Sequence, residues 1–136
     1  MYIGEDGEQK MPWVIHRAIF GTFERFIGVL LEHTNGMLPA WLSPIQAIIL
    51  TVTDGQQAYA DEVWLALKDR GVRVELDTQN ATVGKKIRAA EMRRIPYIVV
   101  LGDKEVATRT VAIRKDSKPF DVFLAEIADA VKIPTI

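Results

Sequence analysis

The sequence predicts an α/β domain, and three observations predict it. From Ile45 onward, β-rich runs alternate with segments of helical periodicity, the pattern of strands joined by packed helices. The run IQAIILTV is continuously apolar at strand length, as suits a strand covered on both faces. Just ahead of it, LPAWLSP is a proline-bearing connector of the kind that separates packing units. The chain therefore reads as two units, residues 1–40 and a compact α/β domain over 41–136.

In chain order, a polar turn over Glu5 to Gln9 leads into MPWVIH, which reads as a short strand. Gly21 opens a helix in which Phe23, Phe26, Ile27, Leu30 and Leu31 form one apolar stripe. Arg25 falls on the opposite side between Gly21 and Gly28, where a ligand can approach the backbone closely. Asn35-Gly36 stops this helix. After IQAIILTV, Asp54 is placed as the next N-cap, with Gln57 completing a capping box. Tyr59, Val63, Ala66 and Leu67 share a helical face that ends at Arg70-Gly71. VRVEL is the second strand, and the loop DTQNAT precedes a helix from about Thr82 to Arg94. Pro96 then opens the strand YIVVL, a position where proline is tolerated. GDKE reads as a turn into a hairpin-like pair, EVA and RTVAIR. Phe120, Phe123, Leu124, Ile127 and Val131 keep helical spacing up to Lys132, before Pro134 forbids more helix. The expectation is five strands, two of them short and hairpin-linked, with three helices after the connector.

Composition excludes several classes of function. At 136 residues, 49% apolar and 26% charged, the chain suits one soluble domain with a real core. A formal net charge of −1 excludes a wholly basic nucleic-acid binder and leaves room for a local basic patch. With no cysteine, disulfide scaffolds, thiolate metal sites and cysteine nucleophiles are excluded. No apolar run reaches the ~20 residues of a membrane helix, so no membrane partner is expected. The first fifteen residues are too acidic for a targeting peptide, and a cytoplasmic location is expected.

The spacing of His16 and His33 matches neither HxxxH nor HExxH, so the sequence alone suggests no complete metal site. Ser43 and Ser117 lack a nucleophile elbow, and no phosphate loop or dinucleotide fingerprint occurs. Local charge does stand out. QNATVGKKIRAAEMRR sets Lys85, Lys86, Arg88, Arg93 and Arg94 against the single acid Glu91. RTVAIRKDSK adds Arg109, Arg114, Lys115 and Lys118 against Asp116. Such clusters describe either a solvated helix face or a phosphate-backbone footprint. Asn80, Glu105 and Arg114, in loops or at strand ends, are residue types that pair with base edges.

The whole chain resembles the C-terminal part of class II aminoacyl-tRNA synthetases, most closely the threonyl-tRNA synthetase family. YIGEDGEQKMPWVIHRAIFGTFERFIGVLLEHTNGMLPAWLSPIQ resembles class II motif 3 and the entry to the anticodon-binding domain. TVTDGQ, GVRVELD, GKKIR, RRIPYIVVLGDKEV and VAIR resemble that domain in the right order. The resemblance implies a three-layer α/β/α anticodon-binding domain with a five-stranded mixed sheet, preceded by a strand-helix remnant of the class II catalytic domain.

It also implies roles. Arg25 falls on the motif 3 arginine that contacts the ATP γ-phosphate, and Thr22 stands near the adenine where the family commonly has serine. His16 matches one of three ligands of the catalytic zinc; the other two belong to sequence this chain lacks, so the zinc site is incomplete here. Asn80, Arg88, Glu105 and Arg114 fall on positions facing the anticodon bases, with Lys85, Lys86, Arg93 and Arg94 expected along the RNA backbone. The loop TQNAT departs from the family's more basic LRN-E-K pattern. The full enzyme uses ATP, Mg2+ and Zn2+ to join threonine to its tRNA; this chain is expected to bind none of these cofactors and to be inactive alone. Its expected partner is threonine tRNA. The first helix, with Phe20 in its apolar surface, is expected to fold back on the α/β domain or to pair with another copy. Two other readings stay open: a freestanding paralogue of the domain serving RNA or protein interaction, and an unrelated small-molecule-binding α/β protein.

Overall fold

Alternate residues of one strand divide the interior of this protein into two cores. In the computed structural model, which describes residues 1–19, 21–113 and 116–134, the central strand β3 (Ala47–Thr51) is buried along its whole length. Ala47 and Ile49 face one way and Ile48 and Leu50 the other, as the two-residue period of a strand requires. This follows from the apolar run that predicted a strand covered on both faces.

The main sheet has five strands. β4 (Val74–Asp77) and β5 (Tyr97–Leu101) flank β3 in parallel, and β6 (Thr110–Ile113) and β7 (Asp116–Pro119) extend it antiparallel, in the order β4-β3-β5-β6-β7. Helices α2 (Gln57–Asp69) and α5 (Phe120–Ala130) cover one face, where Tyr59, Val63, Leu67, Phe120, Phe123 and Ile127 join Ile49, Val99 and Val111. Helix α3 (Val83–Met92) covers the other through Ala90, with Ile95 at its exit. The result is the three-layer α/β/α arrangement with a mixed sheet.

Several boundaries differ from the sequence expectation. The segment EVA is not a strand: α4 (Asp103–Thr108) occupies it, making four α-helices after the connector among the described residues. Glu105 supplies the helix start, since its carboxylate Oε2 accepts the Gly102 N–H at 3.0 Å. The hairpin is instead β6 with β7, in register Thr110↔Pro119 to Ile113↔Asp116. The cap ahead of α2 lies one residue earlier than expected. A short 3-10 turn covers Asp54–Gln56, and Thr53 is capped by the Gln56 side chain.

Residues 1–40 differ more. A two-residue ladder pairs β1 (Tyr2–Ile3) with β2 (Gln9–Lys10), whereas MPWVIH forms no strand and Trp13 is 98% exposed. A strand needs a hydrogen-bonded neighbour, and none pairs with residues 11–16 among the described residues. Helix α1 (Phe23–Thr34) begins at Thr22, whose hydroxyl accepts the Arg25 N–H at 3.3 Å, and ends at left-handed Asn35. None of its residues is buried and Phe23 remains 74% exposed, so the α/β domain does not cover its apolar stripe. Phe20 lies outside the described residues.

The connector is held firmly. The Arg73 guanidinium donates to the carbonyls of Trp41, Ser43 and Pro44 at 2.7–3.1 Å, while Gln46 Nε2 donates to Ala40 O at 2.9 Å. Among the described residues, no helix is long and apolar enough to cross a membrane.

Candidate nucleic-acid interface

The parallel strands end together, and two of the residues singled out from the sequence, Asn80 and Glu105, lie in the segments that leave that end. Leu50 pairs with Asp77 and Thr51 with Leu101, so the loops after β3, β4 and β5 leave from one edge of the sheet. Ligands of open parallel sheets sit outside the carboxyl ends of the strands. The loop after β4 carries Asn80, exposed, and is turned by the Gln79 N–H donating to Asp77 Oδ1 at 2.8 Å. Helix α3 starts from that loop, with Lys85 and Arg88 exposed one turn apart. The loop after β5 leads into α4, whose first turn carries Asp103 and the half-buried Glu105.

The five basic residues of α3 and its exit do not form one patch. Lys85 and Arg88 face solvent and carry no ion pair among the described residues. Lys86, expected along an RNA backbone, is only 6% exposed, and its Nζ donates to Thr51 O at 3.4 Å. The helix packs against Ile48 and Leu50 on the side that Lys86 occupies, so its stem is covered and its ammonium reaches the end of β3. Arg93, at the far end of α3, grips Glu75 with two bonds of 2.8 and 3.0 Å. That hydrogen bonding holds the Arg93 guanidinium above its ordinary pKa. Arg94 adopts a left-handed conformation, φ 57°, beside Gly36 at the end of α1.

The second basic stretch is largely engaged in internal pairs. Arg109 pairs with Glu62 and lies 5.6 Å from the centre of the Tyr59 ring. Lys118 pairs with Glu126 at 2.7 Å. Arg114, expected to face a base, and Lys115 lie outside the described residues.

Gln56 was not singled out from the sequence, and it is 1% exposed at this same edge. Its Nε2 donates to Asp103 Oδ1 at 2.5 Å, across 47 residues of sequence. The only signal was the DGQ of TVTDGQ, where a polar residue sits between a strand and a helix.

The residues that the resemblance assigned to ATP and zinc lie in the N-terminal unit. His16 is exposed in an irregular stretch, Thr22 caps α1, and Arg25 is exposed in the first turn of that helix. Among the described residues, no group of three or more His, Cys, Asp or Glu can hold a metal ion. His16 alone does not make the donor set zinc requires.

A mixed five-stranded sheet between helices, with polar loops at the carboxyl end of its parallel strands, defines an α/β domain of three layers. The chain belongs to the anticodon-binding domain family, whose model matches residues 46–132. It is homologous to the C-terminal part of threonyl-tRNA synthetases. It is 56% identical to a threonine–tRNA ligase of Maridesulfovibrio salexigens over 83% of this chain and 18% of the relative. It is 45% identical to one of Carboxydothermus hydrogenoformans over 96% of this chain and 22% of the relative. The solved RNA-binding domain of threonyl-tRNA synthetase from Cryptosporidium parvum Iowa II superposes with TM-score 0.76 at 36% identity, covering 85% of this chain and 30% of that one. The chain thus spans about a fifth of the length of the curated relatives it matches.

Proposed function

We propose that this chain recognises the anticodon of threonine tRNA, as the C-terminal portion of a threonyl-tRNA synthetase. The observation that carries this reading is that Asn80 and Glu105 stand in segments leaving the same carboxyl end of the parallel strands, with Lys85 and Arg88 exposed on the helix that follows Asn80. The chemistry divides by residue type. An asparagine amide donates and accepts in a pair, a glutamate accepts from exocyclic amino groups, and arginine offers a planar fork. Lys85 supplies charge to the phosphates, which gives affinity without sequence information. Arg114 belongs to the base-facing set by resemblance.

The full enzyme would attach threonine to its tRNA using ATP, Mg2+ and Zn2+, with Arg25 and Thr22 toward ATP and His16 toward zinc. Alone, this chain would not aminoacylate, because catalysis by positioning needs the complete constellation. The exposed apolar side of α1 is the surface through which two copies would associate. Sedimentation across a range of concentrations tests that association.

The main reading is tested by titrating the chain against threonine tRNA and against the same tRNA altered at the second and third anticodon positions. Affinity for the altered RNA is expected to be at least about tenfold lower, the usual penalty for a lost base contact. Equal affinity for both would overturn the reading.

A further inference from the structure

A glutamine with almost no exposed surface must have its amide satisfied inside the protein, and Gln56 is bound at both ends. Its Oε1 accepts from the Thr53 backbone N–H at 2.6 Å and from the Thr53 hydroxyl at 3.0 Å. Its Nε2 donates to Asp103 Oδ1 at 2.5 Å. One side chain therefore closes the loop after β3 and ties it to the first turn of α4. Glu105 stands in that same turn, its Oε2 held by the Gly102 N–H at 3.0 Å. The ladder continues beside it, since Val52 N–H donates to Leu101 O at 3.1 Å.

The direction of this bridge matters as well as its length. Asp103, when ionised, only accepts, and the amide of Gln56 supplies one donor end and one acceptor end. A glutamate at position 56 would keep the shape and the Thr53 contacts but would set a carboxylate against the Asp103 carboxylate. The loop and α4 would then separate, and Glu105 would move with the turn that carries it.

We propose that Gln56 is a positioning residue for anticodon discrimination. It touches no base itself; through Asp103 it sets the first turn of α4 so that Glu105 meets a base edge in one register. The proposal rests on the reading of Glu105 as a base-facing residue.

The test uses the 136-residue chain and two RNAs, threonine tRNA and its variant altered at the second and third anticodon positions. The ratio of the two affinities at fixed salt measures discrimination, and the thermal midpoint is recorded alongside. Gln56→Glu is expected to lower the ratio roughly tenfold, with phosphate-driven affinity for the altered RNA little changed. Gln56→Glu combined with Asp103→Asn restores a donor and an acceptor in the reverse direction, and the ratio is expected to recover. An unchanged ratio in Gln56→Glu would overturn the proposal, as would a lowered ratio that the double variant fails to recover. Equal losses for both RNAs accompanied by a lower midpoint would mark a merely structural residue and overturn it too. A parent chain that does not discriminate would overturn the anticodon reading itself. That result differs from a discriminating parent with an indifferent Gln56→Glu, which removes the positioning role alone.

Discussion

Arg73 and Ser43 are joined by two hydrogen bonds, from Nε at 3.1 Å and from Nη2 at 2.7 Å to the same carbonyl, across 30 residues of sequence. The fork also reaches Trp41 O and Pro44 O, so one planar cation gathers the connector against the start of the sheet. Gln46 adds a second tie, accepting the Arg73 backbone N–H at 2.9 Å. Lysine is a point charge and cannot span three carbonyls in these directions. Arg73→Lys is therefore expected to lower unfolding stability by about 1 kcal/mol, read from the urea midpoint. An unchanged midpoint would show that the clamp contributes nothing to stability.

The basic residues of α3 are expected to separate by environment. Lys85 and Arg88 face solvent without an ion pair among the described residues, whereas Arg93 is held in a fork by Glu75. If the proposed RNA surface is the sheet edge, Lys85→Ala reduces the slope of log affinity against log salt by about 0.7 to 1, whereas Arg88→Ala, at a base-facing position, chiefly lowers the preference for threonine tRNA over the anticodon-altered RNA. Arg93→Ala is expected to leave the slope alone and to lower stability by less than about 1 kcal/mol, as for a half-exposed pair. Salt titrations of the three variants against both RNAs check this. A slope change for Arg93→Ala equal to that for Lys85→Ala would place the RNA along the whole helix.

Lys86 gives a prediction of opposite character to Lys85, its neighbour in sequence. It is buried, and its donor contact to Thr51 O is long at 3.4 Å. A covered cation held by one long bond gains little over an apolar side chain of similar length. Lys86→Met is expected to keep stability within about 1 kcal/mol of the parent and to leave the salt slope unchanged. A fall in the slope would mean that the ammonium reaches RNA after all.

What was legible in the sequence was what depends on local pattern. The apolar run around Ile49 and the stripe of Phe120, Phe123 and Ile127 fixed a covered strand and a packed helix, and both stand in the structure. Failures arose where the deciding partner is distant or local signals compete. Val106 and Ala107 look strand-like, but the acidic turn of Asp103 and Glu105 after Gly102 starts a helix there. β7 is polar and ends on Pro119, which an edge strand tolerates and a hydrophobic pattern search passes over. Residue type singled out Asn80, Glu105 and Arg114 and the resemblance added Arg88; of these, the structure sets Asn80 and Glu105 in segments that leave the same end of the sheet. The burial of Lys86 and the bridge from Gln56 to Asp103 were not legible, because both follow from the packing of elements far apart in sequence.

Gly102 offers a direct test of how closely Glu105 is held. Its backbone is extended, φ −116° and ψ −176°, so a side chain there meets no conformational barrier. The obstacle is space: a Cβ would lie 3.1 Å from Glu105 Oε2 and 3.6 Å from Val52 Cγ2. The carboxylate must then yield by a few tenths of an ångström, weakening its bond to the Gly102 N–H. That bond is partly exposed, so Gly102→Ala is expected to change stability by no more than about 1 kcal/mol. Its effect should fall on discrimination. If Glu105 reads a base, preference for threonine tRNA over the anticodon-altered RNA drops several-fold, roughly 1 kcal/mol, while the salt slope stays that of the parent. If Glu105 serves only to cap α4, the midpoint falls and the preference holds. Paired measurements of midpoint and affinity ratio on this one variant therefore separate a base-reading carboxylate from a helix cap.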